Sequence, residues 1–186
     1  MGGRCRRWQY VCLAAFVIFP TAARPAFAAS ENTPAGQELA SFSVRIADEE
    51  HARAVRNAVA GAFDRLADSR CQEIFGAFRD TSGHTLQERL DLMGITGQNY
   101  LRLVLFYDGA HLAACRPNVA RVVSAVTTLG SRAVFICGPQ FRKQQREIPF
   151  QGVATILHET LHSLGLGENP PSSDEITWQV VGSCAR

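Results

Sequence analysis

Nothing in the 186-residue chain is built to hold a nucleic acid: it has no basic stripe and no run in which basic and aromatic side chains interleave. No two cysteines stand in Cys-x-x-Cys spacing, which excludes the usual thiolate zinc sites. Gln9, Tyr10 and Val11 precede Cys12 where a lipid-attachment pattern would need a run of small residues. No internal repeat, low-complexity tract or second domain boundary is present either, which leaves a single folded domain.

The N-terminus is the first positive signal. Arg4, Arg6 and Arg7 precede an apolar run over residues 10–19, and Ala26-Phe27-Ala28 supplies a small-x-small pattern. That order predicts a secretory signal peptide over 1–28, cut after Ala28, and hence a secreted or periplasmic protein. The apolar run is too short to span a bilayer, so no membrane attachment is expected after cleavage. Loss of Arg4, Arg6, Arg7 and Arg24 leaves 15 of the 19 basic residues against 17 acidic ones, turning a formal +2 into −2. Of the 186 residues, 158 remain (29–186), a length that suits one compact domain.

Four cysteines outlast the signal: Cys71, Cys115, Cys137 and Cys184. An even number in an exported chain predicts two disulfides. Cys71–Cys115 with Cys137–Cys184 joins neighbouring cysteines without crossing in sequence, and it is the pairing expected.

Periodicity sets out the elements. After a small, polar tail, Phe42, Val44 and Ile46 alternate with polar residues as in a strand. Asp48 caps a helix to about 68 that buries Val55, Val59, Phe63 and Leu66, with His51 on its surface. A short helical turn over 71–78 precedes the capping box Thr85-Leu86-Gln87-Glu88, whose helix ends before Gly94. Residues 100–107 and 110–115 read as a hairpin about Asp108-Gly109, and 119–127 and 132–137 as two further strands. Together these predict a four-stranded antiparallel meander. Residues 138–146 read as a basic polar connection, 150–164 as a helix, and Ser172 to Glu175 as the capping box of a last helix reaching about 184.

The helix over 150–164 carries the chemistry. His158 and His162 stand four apart, on one face, so both imidazoles can address one ion. Glu159 lies about 100° further round the helix, beside such an ion, where a carboxylate can act as general base. Val153, Leu157, Leu161 and Leu164 form a separate apolar stripe, the partition expected of a buried helix flooring a polar cleft.

His158-Glu159-Thr160-Leu161-His162-Ser163-Leu164-Gly165-Leu166-Gly167-Glu168 resembles the metzincin signature of the zincin-type metallopeptidases, with Glu168 in place of the third histidine. Gly165 stands where that family's chain leaves the helix with positive φ and doubles back. The resemblance covers eleven residues and lacks the family's Met-turn, since the only methionines are Met1 and Met93. It implies an α+β, zincin-like fold: a small antiparallel sheet packed on helices, a central metal-binding helix and a minimal C-terminal lobe. It also implies Zn2+ held by His158, His162 and a third carboxylate, with Glu159 activating water for hydrolysis of a peptide or protein substrate. Glu168 is favoured as that third ligand. Glu175 is the alternative, matching zincins whose third ligand lies on a following helix, although its capping box with Ser172 already accounts for it. If the fold is zincin-like, the strand over 132–137 is the candidate edge for binding an extended peptide. Tyr107 and His111 lie near a strand turn where an oxyanion-stabilising group could sit, but neither is assigned that role. With one short helix below the metal helix, the cleft is expected to be shallow and open. The rival reading is a non-enzymatic exported binding or interaction domain with a structural or vestigial metal site.

Overall fold

A computed structural model describes residues 42–116 and 122–185 of the chain. The signal peptide and polar tail read from the sequence lie outside these residues, as do residues 119–121 of an expected strand. The described residues form an α+β unit: four short strands and seven α-helices.

Strand β1 (Ser43–Arg45) leads into α1 (Glu49–Arg65), whose first turn is capped by the Asp48 carboxylate accepting from His51 N at 2.7 Å. The helix buries Ala52, Val55, Ala58, Val59 and Ala62, a three-to-four spacing that puts one face into the core. Helices α2 (Ser69–Ala77), α3 (Leu86–Met93) and α4 (Gly97–Leu101) follow. The Thr85–Glu88 capping box is present, and Gly94 ends α3 at φ 66°. Strand β2 (Leu105–Asp108) is followed by a 3-10 turn over Ala113–Cys115, then β3 (Ala125–Thr127) and β4 (Ala133–Ile136). The chain closes with α5 (Gly138–Glu147), α6 (Pro149–Ser163) and α7 (Ser173–Cys184).

The sheet is mixed, not an antiparallel meander. Its order is β1-β2-β4-β3, with β1, β2 and β4 parallel and only β3 antiparallel. Two features of the sequence mislead here. Tyr100 and Leu101 are β-formers, yet Thr96 accepts from Asn99 N and caps a helical turn that buries both, so the strand starts only at Leu105. Asp108-Gly109 does turn the chain, but Gly109 N–H donates to Ile136 O at 2.9 Å on the neighbouring strand. With β1 and β4 on its two flanks, β2 has no free side for a hairpin partner, and residues 110–115 leave the sheet.

The expected edge strand also changes. Residues 133–136 are interior, whereas β1 and β3 are the edges. The supposed polar connection after residue 138 is α5, with Pro in its first turn, where the missing N–H costs nothing, and with Phe141 buried.

The disulfides are Cys71–Cys184 and Cys115–Cys137, not the expected Cys71–Cys115 and Cys137–Cys184. Helix α7 packs on α2, which brings Cys184 to Cys71. Asp108 and Ile136 are register partners at the ends of adjacent parallel strands, so the residues that follow each strand, Cys115 and Cys137, meet at the same end of the sheet. These crosslinks are compatible with an extracellular protein. No helix among the described residues is long and apolar enough to cross a membrane.

Helix α6 is the hub. It packs on α1, α5, α7, β3 and β4, and Ile156, Leu157, Leu161 and Leu164 are buried on it. Gly61 on α1 lets α6 approach closely, since a Cβ there would lie 2.8 Å from Val153 Cγ2. His51, read as a surface residue, is only 2 % exposed because α5 folds over the start of α1, with Gly138 against its ring.

Candidate metal centre

Helix α6 ends in a turn that returns the chain to its own last residues. Gly165 has φ 110°, a conformation that a Cβ would strain. Its N–H donates to His162 O at 2.9 Å, and Leu166 N–H donates to Leu161 O at 3.1 Å, the two bonds of a Schellman motif. A bridge between Leu166 and Asp80 fixes the turn from outside, and a Cβ on Gly165 would meet Asp80 Cβ at 3.3 Å. Asp80 is itself held: Oδ1 accepts from Ser82 N and His84 N, and Oδ2 from Arg89 Nη1 at 3.0 Å. Burial disfavours its charged form, but those donors together outweigh this and hold the carboxyl below its usual range.

The turn brings Glu168 back over the helix. Its Oε1 lies 3.3 Å from His162 Nε2 and 3.8 Å from His158 Nε2, while the two Nε2 atoms are 2.9 Å apart. His158 and His162 are 7 % and 5 % exposed, and their rings meet edge to face. Each outer nitrogen has a partner. His162 Nδ1 is 2.6 Å from Leu166 O, and since a carbonyl only accepts, the neutral tautomer that fits this contact has its proton on Nδ1 and its lone pair on Nε2. His158 Nδ1 is 3.0 Å from Thr177 Oγ1 on α7. Burial first, and then the neighbouring His162, lower the His158 pKa to about 4, so its ring is neutral near neutral pH.

This donor set fits a cation. Three atoms able to give lone pairs converge at 2.9–3.8 Å. Ligand bonds of ~2.0–2.1 Å in a tetrahedral zinc centre place ligand atoms roughly 3.3–3.4 Å from one another, the middle of that range. His158, His162 and Glu168 are also the metal-capable group found among the described residues. Glu175 is elsewhere: its Oε2 accepts from Ser172 N at 2.7 Å and Ser172 Oγ at 2.9 Å in the α7 capping box.

Glu159 lies beside the three, 7 % exposed, and its Oε2 has no hydrogen-bond partner. Burial raises its pKa, while the nearby Thr127 hydroxyl and His162 pull it back. Thr127 lines the same cleft, and its Oγ1 is likewise without a hydrogen-bond partner.

All four motif residues floor a cleft of about 410 Å³ that is open to solvent rather than sealed. It is lined by β3 and its flanks, including Val122, Ala125 and Thr127, and by hydroxyl and amide side chains of α6 and α7, Gln151, Thr155, Ser173 and Thr177. Gly130 N–H donates to His162 O at 3.0 Å and ties the turn after β3 to the end of α6. Tyr107 and His111 pack against Phe135, away from the described lining. Thr127 and Thr177 were not singled out by sequence reasoning, and the only available signal was that Thr177 falls one turn into the capped last helix. No protein-family model, curated protein or solved structure matches the chain.

Proposed function

We propose that the protein is an exported zinc-dependent metallopeptidase with a zincin-like architecture. One observation carries this reading: His158 Nε2, His162 Nε2 and Glu168 Oε1 converge at the floor of an open cleft that Glu159 also lines, with its Oε2 unpartnered. His158, His162 and Glu168 would hold the ion, with Thr177 and the Leu166 carbonyl orienting the two imidazoles. Zinc in such a site supplies Lewis acidity, which acidifies water and polarises a carbonyl.

Glu159 takes a proton from the water that attacks the scissile carbonyl and returns it to the leaving amine. Edge strand β3, rather than β4, offers backbone groups to an extended peptide lying along the cleft. An open cleft suits peptide or protein substrates over enclosed small molecules.

The test is to incubate zinc-loaded protein with a diverse peptide library, with a chelator control and the Glu159→Gln variant. Cleavage by the parent, abolished by the chelator and reduced roughly 10²–10⁴-fold in a variant that still binds zinc, supports the reading. Stoichiometric zinc without any cleavage would assign the centre to a structural role in a binding domain.

A further inference from the structure

Two buried polar atoms are left without hydrogen-bond partners on elements that pack on each other and line this cleft: Thr127 Oγ1 on edge strand β3 and Glu159 Oε2 on α6. Such atoms are rare in folded proteins and mark strain, a functional role or a bridging water. The fold does not ask for a hydroxyl at residue 127. That residue is the last of β3, paired in register with Val134, and valine has the same shape and an equal liking for strands. A valine there would also remove an unsatisfied buried group.

Geometry makes the pair stiff. The turn that follows Thr127 is bonded to α6 through Gly130 N–H and His162 O at 3.0 Å, so β3 and the helix bearing Glu159 are clamped one turn from both side chains. Thr127 lines the cleft together with Glu159, Thr155 and Thr177. A hydroxyl so placed can donate to one carboxylate oxygen, directly or through one water, and leave the other oxygen to address the cleft.

We propose that Thr127 is a positioning residue for Glu159, its hydroxyl donating to Oε2 so that the carboxylate is held in the orientation that exchanges a proton with the attacking water. The proposal rests on the peptidase reading for its catalytic consequence, but the pairing itself does not. Thr127 touches no substrate atom in this role and acts only through Glu159.

A double-mutant cycle on the zinc-loaded full chain tests the pairing without any assay of activity. Thr127→Val lowers the melting temperature of the parent, where the hydroxyl is paired, and raises it in a Glu159→Ala background, where the hydroxyl has lost its partner. Equal shifts in both backgrounds would overturn the proposal. On a cleaved peptide, Thr127→Val lowers kcat by roughly ten- to hundredfold with KM and zinc content unchanged, and Thr127→Ser restores most of it. Full kcat in Thr127→Val would overturn the positioning role while leaving the peptidase reading intact. A non-additive cycle in a parent that cleaves nothing would sink the peptidase reading and leave the pairing supported.

Discussion

Thr177 Oγ1 lies 3.0 Å from His158 Nδ1, so helix α7 reaches back to hold a side chain on the central one. Helix α7 is secured by packing on α2 and α6 and by the Cys71–Cys184 bond, whose closure of 113 residues stabilises by about 5 kcal/mol in the chain-entropy model. Thr177→Val keeps the shape of the side chain and removes the bond. Zinc affinity is expected to fall about 10–100-fold, as for other outer partners of metal-bound histidine. Competition with a chromophoric chelator measures it. Unchanged affinity would mean the hydroxyl does not orient His158.

Glu168 and Glu175 separate cleanly. Glu168 Oε1 faces both imidazoles, whereas Glu175 closes the α7 capping box with Ser172. Glu168→Ala is therefore expected to strip the metal with little change in metal-free stability. Glu175→Ala should keep the metal and lower the melting temperature slightly. The opposite pattern would move the site to a different ligand set.

Gly165→Ala tests the turn. At φ 110° an alanine is strained, and its Cβ would press on Asp80 Cβ at 3.3 Å. A loss of about 1–3 kcal/mol is expected from denaturant titration. Because the same turn sets the Leu166 carbonyl against His162 Nδ1, zinc affinity should fall together with stability.

His51 makes stability depend on pH. Burial holds its pKa below 6.5; Asp108 and Asp48 oppose this and Arg142 adds to it. The unfolded chain therefore takes up a proton near 6.5 while the folded protein takes it up only at lower pH. The contribution is complete above that value and is lost as the pH falls through the folded pKa. His51→Phe in the zinc-loaded protein should flatten the decline between neutral and mildly acidic pH. Identical pH dependence of unfolding in parent and variant would exclude His51 as a source.

The sequence by itself determined what depends on neighbours within a few residues. Asp48, the Thr85–Glu88 box and the Ser172–Glu175 box cap helices where expected, because each cap bonds a backbone N–H only three positions away. Gly165 takes positive φ as its place after α6 requires, and His158, Glu159, His162 and Glu168 meet because all four lie within one helix end and its return turn. Only the tertiary structure decided the rest. Strand partners, disulfide partners and the burial of His51 depend on which distant segments close on each other, and period-two patterning does not say whether a neighbouring strand is parallel, antiparallel or absent. Thr127 and Thr177 belong to this second group. One comes to the metal helix from a sheet edge and the other from α7, and neither threonine differs in sequence from a surface one until packing around α6 buries the Thr127 hydroxyl at the cleft and sets that of Thr177 against an imidazole.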